Sequence, residues 1–258
     1  MKGKVYLVGG GPGDPELLTL KAAKVLGRAD VVLHDALVSH EVLALVVSGA
    51  QLVDVGKRCG TKLLTQEEIN ALMVSYAKSH EVVVRLKGGD PLLFGRAGEE
   101  IAALRQAGVE FEIVPGITAG FGAAAAAGFS LTDRRVASQV LFTTIQRDTE
   151  NRSIQWGGIS STTTLVLYMP GTDYERVMQQ LRDAGWPDDM PCAIVSHATG
   201  EDQQIRSTVL AKLADEATLP APSIMVVGRV VAEVAEEISR EFRIGPETAE
   251  RISQRMVI

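Results

Sequence analysis

Short apolar runs alternate along the chain with longer stretches in which apolar residues recur every three or four positions. Runs of three to five residues that break at glycine, proline or charge predict buried strands at Val5–Val8, Val31–Leu33, Leu52–Val55, Val82–Leu86 and Phe111–Val114. Between them the helical period returns. Asp14 followed by Pro15 reads as a cap and first turn, with the helix running to about Gly27. Thr65-Gln66-Glu67-Glu68 has the spacing of a capping box and opens a helix with Ile69, Leu72, Met73 and Tyr76 on one face. A further helix is expected from about Ala97 to Ala107. Pro115-Gly116 reads as a boundary, which predicts domains at 1–114 and 115–258. Beyond it, the run Ala123–Ala127 predicts a helix packed very close to its neighbours. Strands are expected at Val140–Thr144, Thr164–Tyr168, Ala193–Ser196 and Ile224–Val227, and helices at Tyr174–Ala184, Leu210–Asp215 and Val231–Phe242. The alternation predicts an α/β protein, with a largely parallel sheet in the first half and a mixed sheet in the second.

Composition narrows the chemistry. A chain of 258 residues buries enough surface to fold without a metal or a disulfide. The 26 Lys and Arg are outnumbered by 32 Asp and Glu, which argues against a general nucleic-acid binder but leaves room for a local basic pocket. The two cysteines, Cys59 and Cys192, lie far apart and show no ligand spacing, so no zinc site is expected and two reduced thiols are. No signal peptide or membrane-length apolar stretch is visible, and the expectation is a soluble cytoplasmic protein.

Two glycine turns at strand ends carry the candidate site. Gly9-Gly10-Gly11-Pro12-Gly13-Asp14 stands between a strand and a helix, where backbone amides hold anionic or polar ligands. It is neither a P-loop nor the dinucleotide pattern, and a tight turn with close packing explains it equally well. Gly88-Gly89-Asp90-Pro91 is the second turn. There Asp90 serves either as the cap of a helix or as an acceptor for ribose hydroxyls. Asp35, after the second strand, reads as a loop cap or a cleft residue. Lys57 and Arg58, after the third, read as a solvated pair or a cleft pair. Ligands of open α/β sheets sit outside the carboxyl ends of the strands, so these residues have one cleft available to them.

Val8-Gly-Gly-Gly-Pro-Gly-Asp-Pro-Glu-Leu-Leu-Thr19, Val84-Arg-Leu-Lys-Gly-Gly-Asp-Pro-Leu-Leu-Phe-Gly-Arg96, Val114-Pro-Gly-Ile-Thr-Ala119 and Pro222–Val230 together resemble the uroporphyrinogen III C-methyltransferases of the tetrapyrrole methylase superfamily. Gly56-Lys57-Arg58 and Gln66-Glu67-Glu68-Ile69-Asn70 point to this family in particular. The match begins at residue 1, so the oxidase/ferrochelatase module of fused sirohaem synthases is not expected within the chain. The resemblance implies a two-domain tetrapyrrole methylase fold with the cofactor in the interdomain cleft, not the Rossmann-type methyltransferase fold. It implies methyl transfer from S-adenosylmethionine to two pyrrole rings of uroporphyrinogen III, giving precorrin-2 and S-adenosylhomocysteine, by a homodimer without metal, nucleic acid or membrane. Carried over by position, cofactor contacts fall on Pro12, Gly88, Gly89, Asp90, Leu93, Thr118, Ala119 and Met169. Asp35 is the implied proton acceptor and Lys57 the implied proton donor.

A substrate with eight carboxylates needs cations, and Lys57, Arg58, Arg85, Lys87, Arg96, Arg134 and Arg147 are the candidates near the motifs. Two departures bear on the substrate side. Leu131-Thr132 is followed by Asp133 where relatives often have His, and Thr143-Thr144-Ile145-Gln146 stands where they often show Thr-Gly-His. The alternatives are a methylase acting on a later corrin precursor, or a non-catalytic S-adenosylmethionine-binding regulator.

Overall fold

The structure is a computed structural model and describes residues 3–58, 61–62, 64–145, 156 and 158–231. The expected helix at Val231–Phe242 lies almost wholly outside these residues, as do Cys59 and Arg147. Among the described residues, no helix is long and apolar enough to cross a membrane.

Two five-stranded sheets carry the described residues. The first is built from β1 (Lys4–Gly9), β2 (Val31–His34), β3 (Gln51–Asp54), β6 (Val82–Lys87) and β7 (Glu110–Val114), in the order β3-β2-β6-β1-β7. Every pairing in it is parallel. The small strands β4 (Lys57–Arg58) and β5 (Thr61–Lys62) form a separate antiparallel hairpin. The second sheet is mixed, as expected. Its strands are β8 (Gln139–Thr144), β9 (Thr163–Tyr168), β10 (Pro191–Ser196), β11 (Gln204–Val209) and β12 (Ser223–Val227), ordered β11-β10-β12-β9-β8, and only β8 and β9 pair in parallel.

Period-two alternation sorts each sheet's residues onto two cores. Val5, Leu7, Val31, Leu33 and Val83 face α3 (Gln66–Tyr76) and α4 (Ala97–Gln106), while Tyr6, Val8, Val32, Val84 and Leu86 face α1 (Leu20–Leu26) and α2 (His40–Leu43). In the second sheet, Leu165, Leu167, Ile194 and Met225 pack with α6 (Tyr174–Asp183), and Val166, Tyr168, Val195 and Val226 pack with α5 (Ala119–Ala127). Central strands are buried on both faces, which is why they read as unbroken apolar runs.

Several elements depart from expectation. The helix expected from Pro15 is broken. Pro15–Leu17 is a short 3-10 turn, and a second cap at Thr19, whose hydroxyl accepts from Ala22 N–H, starts α1. Leu210–Asp215 is 3-10 rather than α-helical. Four-residue α2, the two-residue strands β4 and β5 and edge strand β11 are too short or too polar to have shown in the apolar pattern. In α5 the close approach is made by glycines. A Cβ on Gly120 would lie 2.7 Å from the Tyr168 hydroxyl, and one on Gly122 2.6 Å from Pro12 Cβ. Ala123 and Ala124 are buried, but Ala125 is exposed.

Candidate active site

The order of the first sheet creates the crevice. From β1 the chain moves through α1 to β2 on one side, and from β6 it moves through α4 to β7 on the other. Neighbouring β1 and β6 therefore send their helices to opposite faces, α1 to one core and α4 to the other. The carboxyl ends of two such strands form a topological switch point, where open α/β sheets bind ligands. Both glycine turns lie there, and they are tied to each other. Gly11 N–H donates to the Gly89 carbonyl at 3.2 Å, Gly89 N–H to the Gly11 carbonyl at 2.7 Å, and Gly10 N–H to the Lys87 carbonyl at 2.7 Å.

Gly116 reaches the same point. A Cβ on Gly116 would stand 2.3 Å from the Gly89 carbonyl oxygen and one on Gly9 would stand 2.6 Å from Gly116 Cα, so three backbones meet where no side chain fits. Asp90 clasps the junction. One carboxylate oxygen accepts from Leu92 N–H at 2.8 Å, and the other from Gly116 N–H at 3.0 Å. No helix begins at Pro91, so Asp90 is not a helix cap: the segment 91–95 is a turn, and α4 starts only at Ala97. Gly89 takes φ +68, and its missing Cβ would point at Ala119 N (3.5 Å) and Thr118 Cα (3.7 Å).

The remaining expected cofactor residues gather around this point. Pro12 packs on Gly122 of α5. Gly88 lies under Leu37, whose Cβ is 3.0 Å from the position of an added methyl. Leu93 and Ala119 pack against the α5-side core of the second sheet. Thr118 is buried, with its hydroxyl 2.6 Å from that of Tyr168, and the Tyr168 oxygen also accepts from Gly120 N–H at 2.8 Å. Burial pushes the Tyr168 phenol up, against the pull of these two hydrogen bonds. Met169 follows Tyr168 in a left-handed conformation, φ +50, and is exposed. Thr199, also left-handed at φ +67, accepts from Asp14 N–H at 3.1 Å and so joins the first glycine turn to the second sheet. Sequence reasoning missed Tyr168 and Thr199. An aromatic at a strand end and a Thr in a loop carry no spacing signal, and only the tertiary contacts single them out.

Asp35 stands at the same edge of the sheet, its N–H on the Leu86 carbonyl at 3.2 Å. Its half-buried carboxylate accepts from Arg85 Nη2 and lies 4.0 Å from Lys87 Nζ. Arg85 and Lys87 are 2% and 3% exposed, and both also bind Glu100, which is fully buried. This corrects the expectation that Arg85 and Lys87 hold substrate carboxylates: their side chains point into the fold and are paired there. Burial and Arg85 push the Lys87 ammonium down, while Glu100 and Asp35 oppose that shift. The Arg85 guanidinium is raised, because Asp35 and Glu100 outweigh the burial that works against its charge. Lys57 opens β4 just beyond the carboxyl end of β3, and its side chain lies outside the described set, as does that of Arg58. Arg134 is exposed, and Arg96 is exposed and paired with Glu99. At the first departure, Asp133 accepts a bidentate pair from Arg135, at 3.0 and 2.7 Å, and that guanidinium holds its carboxyl down at about 2. At the second, Thr143 and Thr144 end β8, Ile145 is buried and Gln146 lies outside the described residues. Among the described residues, no group of three His, Cys, Asp or Glu side chains is placed to hold a metal ion.

Comparison with known proteins gives this arrangement a family. The model of the tetrapyrrole (corrin/porphyrin) methylases matches residues 4–214. The chain is 47% identical over 232 residues to siroheme synthase 2 of Aeromonas hydrophila, covering 89% of this chain and 49% of that protein. It is 45% identical over 238 residues to the chloroplastic S-adenosyl-L-methionine-dependent uroporphyrinogen III methyltransferase of Arabidopsis thaliana, covering 89% of this chain and 64% of that protein. The chain thus spans about half the length of the siroheme synthases it matches. Among solved structures, the uroporphyrin-III C-methyl transferase of Thermus thermophilus complexed with S-adenyl homocysteine superposes with a TM-score of 0.77 at 36% identity, covering 88% of this chain and 98% of that one. A cobalt precorrin-4 methyltransferase superposes at 0.74 and 31%, covering 87% and 94%. With both sheets arranged as described and the match running through the glycine turns, this chain belongs to the tetrapyrrole methylase family and has that family's fold rather than the Rossmann-type methyltransferase fold.

Proposed function

We propose that this chain transfers methyl groups from S-adenosylmethionine to two pyrrole carbons of uroporphyrinogen III, giving precorrin-2 and S-adenosylhomocysteine. The observation that carries the reading is the junction at the switch point, where the two glycine turns hydrogen-bond to each other and Asp90 ties them to Gly116. The names of the relatives supply the substrate: one acts on uroporphyrinogen III, and one was solved with S-adenyl homocysteine. The junction suits that ligand. Backbone groups of Gly88 and Gly89, the Asp90 carboxylate and the apolar side chains of Pro12, Leu93, Ala119 and Met169 are what an adenosyl group with a ribose and an amino-acid tail requires.

S-adenosylmethionine, when bound, supplies a sulfonium methyl that is already electrophilic. The protein has therefore to align a pyrrole carbon with it in a dry site and to remove a proton as positive charge develops on the ring. Asp35 is the acceptor in this reading: its carboxylate is half-exposed on the cleft side and held from behind by Arg85. Lys57 is the donor, on a hairpin beside the same strand ends. We further infer that the chain divides into domains 1–114 and 115–258, with the cofactor between them, and acts as a cytoplasmic homodimer that uses no metal, nucleic acid or membrane. Exposed Leu92, Phe94, Phe121 and Met169 give the cleft an apolar rim that a tetrapyrrole or a second copy would cover.

The test is turnover with uroporphyrinogen III and S-adenosylmethionine, followed by precorrin-2 absorption and sedimentation of the active species. Lys57→Ala is expected to lower turnover while leaving S-adenosylhomocysteine affinity within about twofold. No product from uroporphyrinogen III, but turnover of a later corrin precursor, would replace the proposed substrate. The likeness to a cobalt precorrin-4 methyltransferase supports that second reading.

A further inference from the structure

The most buried charges of the first sheet form one cluster beneath Asp35. Glu100, on the inner face of α4, is 0% exposed. Its Oε1 accepts from Arg85 Nε at 2.9 Å, Lys87 Nζ at 2.9 Å and Gln66 Nε2 of α3 at 3.4 Å. Its Oε2 has no hydrogen-bond partner among the described residues. Arg85 also reaches the carbonyls of Leu33 (3.4 Å) and Leu86 (3.3 Å), so its plane is fixed against β2 and β6. Two cations and two anions balance, and Asp35 alone among them opens toward the cleft, with 29% of its side chain exposed against 4% or less for the other three.

We infer that Glu100 is a positioning residue for proton acceptance: through Arg85 and Lys87 it fixes both the place and the charge of the Asp35 carboxylate. The inference rests on the proposed role of Asp35. Without an anion behind them, two buried cations would both turn their charge on Asp35 and make it a weaker acceptor, and a carboxylate caught between two mobile cations would lose its orientation. With Glu100 present, each cation is shared. The ammonium of Lys87 has Asp35 as a second anion 4.0 Å away, which with Glu100 works for its charge against burial. Other charged and titratable groups nearby are Arg96 at the start of α4, which senses Glu99, Glu67 and Glu100, and His34, whose ring faces the Asp35 carbonyl at 3.4 Å.

The experiment measures kcat against pH, KM for the tetrapyrrole, and calorimetric S-adenosylhomocysteine affinity for the wild type, Glu100→Gln and Lys87→Met. Glu100→Gln removes an anion and keeps the shape. The acid limb of kcat then moves to lower pH, and kcat falls tenfold or more with affinity and KM within about threefold. Lys87→Met removes a cation, and the acid limb moves up. Opposite shifts are the signature, since a merely structural role would lower the amount of folded enzyme without moving either limb. Limbs that stay at the wild-type position, limbs that move together, or an affinity loss as large as the loss in kcat would overturn the inference. Should Glu100→Gln fail to fold, Lys87→Met decides alone by the upward shift or its absence. Wild-type enzyme without turnover, or Asp35→Asn with full turnover, overturns the underlying reading and the inference with it, an outcome distinct from unchanged limbs in an active enzyme.

Discussion

Replacing Asp90 by Asn separates a clasp from a ligand contact. The sequence alone suggests that Asn, which caps as well as Asp, would leave stability intact. The structure says otherwise. Each Asp90 oxygen accepts one backbone N–H, from Leu92 and from Gly116, and the Asn side chain has only one oxygen. Asn therefore keeps one bond, as a neutral one worth about 0.5–1.5 kcal/mol where the charged one was worth about 1.5–3. The other N–H faces the amide NH2. If that is the exposed Leu92 N–H, water takes over and the further cost is about 0.5–1 kcal/mol. The sum is about 1.5–2.5 kcal/mol, or roughly 3–10 °C in Tm for a protein of this size. Denaturant unfolding without ligand measures that number, and calorimetry with S-adenosylhomocysteine measures the rest. A cofactor contact adds a loss of about tenfold in affinity, equal to about 1.4 kcal/mol. Ligand-free stability within 0.5 kcal/mol of the wild type would refute the clasp. Wild-type affinity in a destabilised variant would leave Asp90 as a clasp and remove it from the cofactor site.

Gly89→Ala places a Cβ at φ +68, a conformation that costs an L-residue about 1–2 kcal/mol, and aims it at Ala119, so affinity for S-adenosylhomocysteine is expected to fall by more than the stability does. Calorimetry beside urea unfolding checks this, and equal losses in both would argue that Gly89 does not face the ligand. On α5, exposed Ala125→Leu is expected to change stability by less than about 0.5 kcal/mol, whereas Gly122→Ala drives a methyl onto Pro12 and costs about 1–3 kcal/mol. Melting curves that rank the two the other way would mean that the exposed face of the helix is the packed one. Burial pushes the Cys192 thiol from 9.0 up to about 12. In a Cys59→Ser background, iodoacetamide at pH 8 should therefore leave native Cys192 unmodified and label it once the chain is unfolded. The unfolded chain releases this proton near 9 while the native one keeps it to about 12, so stability present below 9 is lost as pH rises through that window. Removing the thiol with Cys192→Ala should flatten that alkaline loss, as read from unfolding free energy against pH, and an unchanged slope would assign it to other groups.

Most of the strands, and the helices α3, α4 and α6, were legible in the sequence, because burial on two faces writes an unbroken apolar run and burial on one face writes a period of three to four. The capping box at Thr65 forms as its spacing requires, with both reciprocal hydrogen bonds present. The glycine turns and the family were legible too, since close backbone approach restricts residue type at fixed places in the chain. The break at Thr19 was not, because a Pro-led turn and a helix share one local pattern and the choice between them depends on packing. Nor was the fate of the charges. Arg85 and Lys87 alternate with apolar residues as solvent-facing residues of a strand would, and Glu100 sits beside Glu99 like half of a solvated pair. Sequence distance hides that Glu100 occupies the inner face of α4 with Ala97 and Leu104, directly over β6. Strand order decided that placement: only when β6 inserts between β1 and β2 do two buried cations, an unexposed carboxylate and Asp35 come within hydrogen-bonding reach, because pairing across a sheet joins residues that no local periodicity connects.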